Sequence, residues 1–247
     1  MKFGVKKAIE QEKITNTIRL NKFISNAGVC ARRAADGLIR AGHITVNGQK
    51  VNTLGYQVTP QDVVQYRNQV LQSHKLIYIL LNKPRDYITT TKDPKGRKTV
   101  LQLINCQERV YPVGRLDRNT TGLLLLTNDG ALATHLAHPA SNIKKLYHVV
   151  LDKPISSIDY EKIKAGVALE DGIAHVDQLE IVDQEDGRSL GLEIHIGRNR
   201  VIRRIFEQLH YEVVKLDRVM YAHFTKKDLP RGRWRFLTPQ EIQYCKH

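Results

Sequence analysis

The chain has 247 residues, of which 41% are hydrophobic, and its formal net charge is +14 at pH 7. This length accommodates two modest domains or one large one, and the apolar fraction is sufficient for a packed core. The positive excess favours a polyanionic partner, with nucleic acid as the simplest candidate and a membrane surface as the other. The longest apolar run, residues 76–81, is far shorter than the roughly 20 residues that a spanning helix needs.

Several other classes of protein are disfavoured by what the sequence lacks. Residues 1–13 carry charges but no apolar core, so they do not form a secretory signal and we expect a cytoplasmic protein. Cys30, Cys106 and Cys245 form no Cys-x-x-Cys pair, and we expect all three to be reduced thiols. Because no glycine-rich phosphate loop and no His/Cys cluster with ligand spacing is present, we expect neither a metal nor an organic cofactor.

Composition divides the chain into four segments. Residues 1–16 are polar and rich in lysine, which predicts a flexible basic tail. Residues 17–66 have the pattern of a small domain, and the polar residues 67–75 predict a linker. Residues 76–247 then form the second and larger predicted domain.

The small domain has the pattern of two helices and a hairpin. Apolar residues at helical spacing predict one helix that ends near Gly28 and a second over residues 31–41. Asn47-Gly48, within residues 43–51, is the strongest two-residue turn sequence, since both positions need a positive φ. Residues 15–66 hold six cationic side chains against two anionic ones, a net charge of +4.

Residues 19–51 closely resemble an S4 RNA-binding domain. The resemblance implies that the two helices present basic side chains to structured RNA, mainly through phosphate and shape. One difference is visible, since Ala31 and Ala34 replace the usual Ser-x-x-Glu capping box of the second helix. The alternative for any single arginine is a solvated helix face. The candidate RNA contacts are Arg19, Lys22, Arg32, Arg33 and Arg40.

The centre of the second domain is the stretch of residues 114–130. Four consecutive leucines, Leu123 to Leu126, between turn sequences predict a strand that is buried on both faces. Asp117 then lies on the loop that leads into this strand, a rigid place to hold a reactive carboxylate. Spacing alone leaves another interpretation open, in which Asp117 caps a turn or pairs with Arg115 or Arg118.

Two later segments also carry candidate functional residues. Residues 144–150 alternate in character and predict a strand, in which Tyr147 would ordinarily be a core residue with its hydroxyl at an edge. Residues 197–206 contain four arginines and predict a helix whose apolar face includes Ile202, Ile205 and Phe206.

These three segments together resemble the ribosomal RNA pseudouridine synthases of the RsuA/RluB type. The resemblance rests on Gly-Arg-Leu-Asp at residues 114–117, on Lys-x-Tyr at residues 145–147 and on the arginine-rich residues 197–204. It implies an α+β fold with a small S4-like domain of two helices plus a hairpin. The larger catalytic domain would hold a mixed, mostly antiparallel β-sheet with flanking helices.

The resemblance also assigns roles to individual residues. It implies that Asp117 is the catalytic nucleophile and that Tyr147 stacks on the target base and assists proton transfer. Arg203 matches the basic residue that pairs with the nucleophile and keeps it charged and aimed. Val201 stands where the family usually has a polar residue. Further residues implied in the substrate pocket are Arg115, Leu116, Lys145, Ile202 and Arg204, and those implied as RNA contacts are Arg198 and Arg200.

The predicted function is therefore isomerisation of a specific uridine in ribosomal RNA to pseudouridine, and the overall resemblance favours RNA of the large subunit. It would proceed by base flipping and nucleophilic catalysis by a carboxylate. The predicted partner is ribosomal RNA or an assembly intermediate and not a membrane, and the protein is predicted to be a monomer.

Three alternatives remain at this point. The first is a non-catalytic S4-type RNA-binding or ribosome-assembly protein. The second is a tRNA synthetase fragment, suggested by His195-Ile196-Gly197. The third is a metal-dependent nuclease built on Asp117, Asp129, His135 and His138.

Overall fold

The computed structural model describes residues 17–72 and 75–245. The basic tail predicted for residues 1–16 lies outside the described residues. The chain divides into two compact units that meet in sequence between Lys75 and Leu76, and each unit is described by itself. No helix in the described part of the chain is long and apolar enough to cross a membrane.

The first unit contains two helices and two small sheets. The helices are α1 (Leu20–Asn26) and α2 (Arg32–Arg40). One sheet pairs β1 (Ile18–Arg19) with β4 (Gln57–Val58). The other is antiparallel in the order β3-β2-β5-β6, with strands β2 (Ile44–Val46), β3 (Gln49–Lys50), β5 (Val64–Tyr66) and β6 (Gln69–Val70).

Apolar residues from both helices close the core of this unit against the sheet. Leu20 and Ile24 of α1 and Ile39 of α2 are buried together with Ile44 of β2. Helix α2 begins after Ala31 without a side-chain cap, as the missing capping box predicts. Packing therefore stabilises this helix more than its ends do.

Two hairpins build the four-stranded sheet, and the sequence indicated only one of them. Asn47 and Gly48 have φ values of 51° and 79°, which confirms the predicted turn between β2 and β3. Arg67 and Asn68 also have positive φ values, 51° and 64°, and they join β5 to β6. Residues 69–70, predicted to lie in a linker, thus extend the sheet. Because arginine rarely adopts a positive φ, its sequence gave no turn signature.

The second unit is built around a nine-stranded mixed sheet. Its main order is β13-β14-β10-β15-β9-β7-β17, with β16 paired to β15 and β8 paired to β9. All described pairs are antiparallel except β9 with β15. The strands are β7 (Tyr78–Lys83), β8 (Tyr111–Pro112), β9 (Thr121–Thr127), β10 (Lys145–Leu151), β13 (Gln178–Ile181), β14 (Ser189–Ile194), β15 (Val213–Tyr221), β16 (Phe224–Thr225) and β17 (Trp234–Phe236).

Shorter elements and helices complete this unit. Strands β11 (Val167–Leu169) and β12 (Gly172–Ala174) form a separate hairpin, and two short 3₁₀ helices cover Val100–Leu103 and Pro139–Ser141. The α-helices are α3 (Gly130–Ala137), α4 (Ser157–Ala165), α5 (Val201–Gln208) and α6 (Pro239–Tyr244).

The sheet is covered on both faces, as the run of leucines predicts. Leu123 to Leu126 of β9 are each 0% exposed. Successive side chains of a strand point to opposite faces, and Leu124 and Leu126 accordingly pack in the cluster that contains the apolar side of α5. Leu123 and Leu125 pack with residues of α3 instead. These features confirm the predicted α+β fold.

Gly122 is required where β9 and β15 run parallel. Its φ is +105°, and a Cβ added there would lie 2.2 Å from the carbonyl oxygen of Arg218. The close approach of the two backbones fixes the start of β9 beside β15. The loop that carries Asp117 immediately precedes this point.

We expect Gly122→Ala to lower the free energy of unfolding by roughly 2–5 kcal/mol, from strain at positive φ together with overpacking against backbone. Urea denaturation followed by circular dichroism would measure this loss. Gly191→Ala in β14 is the matched control, because a Cβ there meets only ordinary contact, with Val182 Cγ2 at 3.6 Å. Equal, small losses for both variants would show that the two strands can separate at low cost.

Candidate active site

A cavity of about 540 Å³ opens in the second unit around the predicted nucleophile. This volume lies within the range of small-ligand sites, roughly 300–1,000 Å³. The loop before β9, strands β10 and β15, the end of β14 and the start of α5 all contribute to the wall. Predicted site residues in the wall are Arg115, Leu116, Asp117, Lys145, Tyr147, Arg198, Arg200, Ile202 and Arg203.

The backbone of the Asp117 loop is held by the ammonium group of Lys83 at the end of β7. Lys83 is 0% exposed. Its Nζ donates to the carbonyl oxygens of Asp117 (3.0 Å), Arg118 (3.2 Å) and Thr120 (2.7 Å), with Pro84 O also at 3.0 Å. A single buried cation thus fixes the course of the loop on which the carboxylate lies.

Burial lowers the pKa of Lys83 to about 8, although the nearby carboxylates of Asp117 and Asp86 act in the opposite direction. Sequence reasoning did not single out this residue. Its position two residues after the apolar run of residues 76–81 was the available clue, because a lysine that ends a buried strand must find acceptors or reach solvent.

Other contacts secure the same loop. Thr89 Oγ1 donates to Leu116 O at 2.8 Å and accepts from Leu116 N at 3.2 Å. Arg118 pairs with Asp86 at 3.1 Å. Arg118 therefore does not pair with Asp117, and the interpretation of Asp117 as a local partner of Arg118 is not what the structure shows.

Asp117 has a different cationic partner from the one expected. Its Oδ2 lies 3.6 Å from Nη1 of Arg200, and its side chain is 38% exposed. Arg203 instead donates from Nη1 to Val213 O at 2.8 Å. Burial and then Arg200 lower the pKa of Arg203, whereas Asp117 raises it, so Arg203 still lies within the electrostatic influence of the carboxylate.

The backbone explains how Arg200 reaches the carboxylate. Arg200 is the N-terminal cap of α5 and has a φ of 48°, which turns the chain sharply before the helix begins. Its Nη2 also donates to Glu207 at 3.2 Å. An arginine at positive φ is uncommon, and no sequence pattern predicted this arrangement.

Tyr147 and Lys145 lie side by side on the cavity wall from β10. Tyr147 is 8% exposed and packs in the main core cluster, which agrees with the core position that its strand predicts, and it also lines the cavity. Lys145 Nζ donates to His195 O at 2.5 Å. Burial first, and Arg218 second, lower the pKa of Lys145 to about 8.

Arg198 and Arg204 hold a neighbouring hairpin. Arg204 pairs with Asp171 through Nη2 at 2.5 Å, and Arg198 lies 3.6 Å from the same carboxylate. Arg198 Nη1 also donates to Gly172 O at 2.8 Å. Arg204 was predicted in the pocket, but it is not among the residues that line the cavity, because its side chain turns towards the β11–β12 turn.

The residues that suggested a metal-dependent nuclease or a tRNA synthetase fragment have local structural partners. Asp129 caps α3 through the backbone nitrogens of Ala131 and Leu132 and accepts from the hydroxyl of Tyr78. His195 Nδ1 forms a hydrogen bond with the carboxylate of Asp177 at 2.7 Å, in which the carboxylate oxygen accepts. Within residues 17–72 and 75–245, no group of three or more His, Cys, Asp or Glu side chains could hold a metal ion.

The candidate RNA contacts of the first unit are mostly at the surface. Arg19, Arg32, Arg33 and Arg40 are exposed, and Lys22 is partly exposed. Arg32 Nε donates to Asn21 Oδ1 at 3.2 Å, and Asn21 in turn donates to Asp36. These bonds tie α1 to α2 and leave the contacts with RNA as a prediction.

Both units are similar to known protein families. A family model for RNA pseudouridylate synthase matches residues 77–208, and a model for the S4 domain matches residues 18–64. The ribosomal large subunit pseudouridine synthase B of Bacillus subtilis (strain 168) is 41% identical over 230 residues, which cover 91% of this chain and 94% of that protein.

Two further relatives agree. The dual-specificity RNA pseudouridine synthase RluF of Escherichia coli (strain K12) is 36% identical over 230 residues, covering 92% of this chain and 78% of that protein. A crystal structure of a pseudouridylate synthase superposes with a TM-score of 0.67 at 30% identity, covering 92% of this chain and 99% of that one.

An S4 domain joined to a synthase domain makes this chain an enzyme that acts on RNA. It belongs to the RNA pseudouridine synthase family, whose members are isomerases that rearrange uridine within the RNA chain. The predicted family is thereby confirmed.

We expect Lys83→Met to destabilise the protein strongly, because it leaves several carbonyl oxygens around a buried site without a donor. At about 1–3 kcal/mol for each unsatisfied buried group, the loss should exceed about 3 kcal/mol in urea denaturation. Lys95→Met, at an exposed position of the loop between β7 and β8, serves as the control and should change stability little. A loss below about 1 kcal/mol for Lys83→Met would contradict this role.

Proposed function

We propose that the protein converts a specific uridine of ribosomal RNA to pseudouridine, with Asp117 as the nucleophile. The observation that carries this proposal is the position of the Asp117 carboxylate in one cavity with the buried ring of Tyr147. The proposed substrate is large-subunit RNA, either naked or in an assembly intermediate. The relative in Bacillus subtilis bears the name of a large-subunit enzyme, which supports this choice.

The size and lining of the cavity fit a flipped nucleotide. A base within a duplex or stack cannot reach Asp117, so it must leave the stack at a cost of a few kcal/mol. The ring of Tyr147, buried in the wall, offers a face on which the flipped base can stack, and stacking on an aromatic side chain contributes roughly 1–3 kcal/mol per base. This contact offsets part of the cost of flipping.

A carboxylate must be ionised to act as a nucleophile. Arg200 at 3.6 Å and the half-buried Arg203 together supply positive charge next to Asp117. Guanidinium groups remain charged throughout the working pH range, so they stabilise the ionised carboxylate.

The first unit is proposed to hold the RNA while the second acts on it. Arg19, Arg32, Arg33 and Arg40 are exposed there and can contact phosphate groups. Such contacts position the RNA, whereas the shape of the cavity selects the base. We further propose that the protein acts as a monomer in the cytoplasm and needs no metal or organic cofactor.

The direct test compares wild type with Asp117→Asn on ribosomal RNA from a strain that lacks the gene. Pseudouridine would be detected by chemical derivatisation and primer-extension stops. We expect a new stop with wild type and none with Asp117→Asn, while both proteins bind the RNA with similar affinity.

Two other outcomes would contradict part or all of the proposal. A stop that survives Asp117→Asn would show that the activity is correct and the nucleophile is not. If wild type binds RNA but produces no stop on naked RNA, subunits or assembly intermediates, the non-catalytic alternative would replace the proposal.

The two arginines near Asp117 should differ in their effect on rate. Arg203 is half-buried, so its field at the carboxylate is less screened than that of Arg200, which is 44% exposed and shared with Glu207. We expect Arg203→Gln to lower the single-turnover rate constant on the order of 10²-fold and Arg200→Gln less than about tenfold. Parallel assays at saturating protein would measure both. The reverse order would show that Arg200, which forms the ion pair, stabilises the carboxylate of Asp117 more than Arg203 does.

A further inference from the structure

Arg218 of β15 is a buried cation with an unused donor. The residue is 3% exposed. Its Nε donates to Leu123 O at 2.7 Å, whereas its Nη2 is buried and has no hydrogen-bond partner within residues 17–72 and 75–245. A buried, charged donor without an acceptor is costly, so this group points to a ligand that supplies one.

Among the described residues, the neighbouring carboxylate of Asp217 does not neutralise Arg218. Its neighbour Asp217 is engaged by Thr121, Lys226 and Arg231 and therefore does not serve Arg218. The guanidinium carbon lies 4.5 Å from the centroid of the Tyr221 ring. This cation–π contact stabilises the charge of Arg218 but provides no hydrogen-bond acceptor for the N–H groups of the guanidinium.

The fold places this cation in the cavity next to the base-stacking residue. Arg218 is directly opposite Tyr147 in the antiparallel pairing of β10 and β15. Directly opposed residues of such a pair lie on the same face of the sheet. Arg218 lines the same cavity as Asp117 and Tyr147, and its backbone is fixed by the close approach of Gly122.

The reaction of the proposed function creates negative charge on the base. When the bond between N1 and C1′ breaks, its electron pair stays with uracil and spreads over N1, O2 and O4. A bond from C5 to C1′ then forms, the proton on C5 leaves and N1 gains a proton, so atoms and electrons balance. If Asp117 first adds to C6 of the base, negative charge also reaches O4.

We propose that Arg218 is a catalytic residue that donates a hydrogen bond to a carbonyl oxygen of the flipped uracil and stabilises its negative charge. This inference rests on the proposed function. A fixed donor in a site with little water stabilises developing charge far more than the same group does in water. Lys145, whose ammonium Arg218 influences, adds a second positive charge to the same wall.

The test compares two target nucleosides, uridine and 5-fluorouridine, whose bases differ in acidity. Fluorine at C5 withdraws electrons and stabilises the uracil anion, so a substrate with 5-fluorouridine at the target position should depend less on Arg218. The full-length wild type, Arg218→Gln and Arg218→Lys would each be mixed in excess with RNA that contains uridine or 5-fluorouridine. Loss of the target nucleoside would be followed by chromatography of the digested RNA.

We expect Arg218→Gln to slow the consumption of uridine on the order of 10²–10³-fold. Its effect on 5-fluorouridine should be at least about tenfold smaller, with RNA affinity within about twofold of wild type. Arg218→Lys keeps the charge but not the paired donors of the guanidinium, so its rate on uridine should lie between those of wild type and Arg218→Gln. Arg235→Gln, which removes an ion pair with Glu241 outside the cavity, should leave both rates unchanged.

The ratio of the two rates separates chemistry from structure. A variant that is only partly folded loses activity on both substrates equally, and so does one that has lost a phosphate contact. Equal losses would therefore overturn the assignment of Arg218. If wild type consumes neither nucleoside in any RNA, the proposed function fails instead, and the two failures are distinguishable.

Discussion

The active site depends on one buried cation, the ammonium of Lys83. It lies among the carbonyl oxygens of Asp117, Arg118 and Thr120 and replaces the water that these groups would otherwise bind. The energetic reason is that unsatisfied carbonyl oxygens are costly in a buried site, whereas a charged donor satisfies several at once. The loop that carries the proposed nucleophile, Asp117, is consequently attached to the central sheet, and the packing of the core fixes its geometry.

The second constraint is the close parallel contact between β9 and β15. Gly122 permits the two backbones to approach. This contact brings the Asp117 loop, which leads into β9, next to Arg218 of β15. Strand β10 pairs with the other edge of β15 and adds Tyr147. The loop that leads into β9 therefore holds the carboxylate of Asp117, β15 holds the guanidinium of Arg218 and β10 holds the ring of Tyr147, each in a fixed position. Such preorganisation lets the groups act without reorganising during the reaction.

Local patterns predicted many elements because their causes are local. The leucines of β9 are buried on both faces, since a continuous apolar run is stable only in a covered strand. Asn47-Gly48 forms the predicted hairpin, because both residues accept a positive φ at low cost. The hairpin at Arg67 and Asn68 was not predicted, since pairing of β5 with β6 and not local preference stabilises that turn.

By itself, the sequence determined the two domains' fold class, the family and the position of the candidate nucleophile, since motifs and apolar periodicity are properties of neighbouring residues. Only the tertiary structure decided which charges meet. Arg200 and not Arg203 forms the pair with Asp117, Arg204 pairs with Asp171, and Arg218 is left with an unused donor. Ion pairs and buried donors depend on distances of a few ångströms between segments far apart in the chain, and no local pattern contains that information.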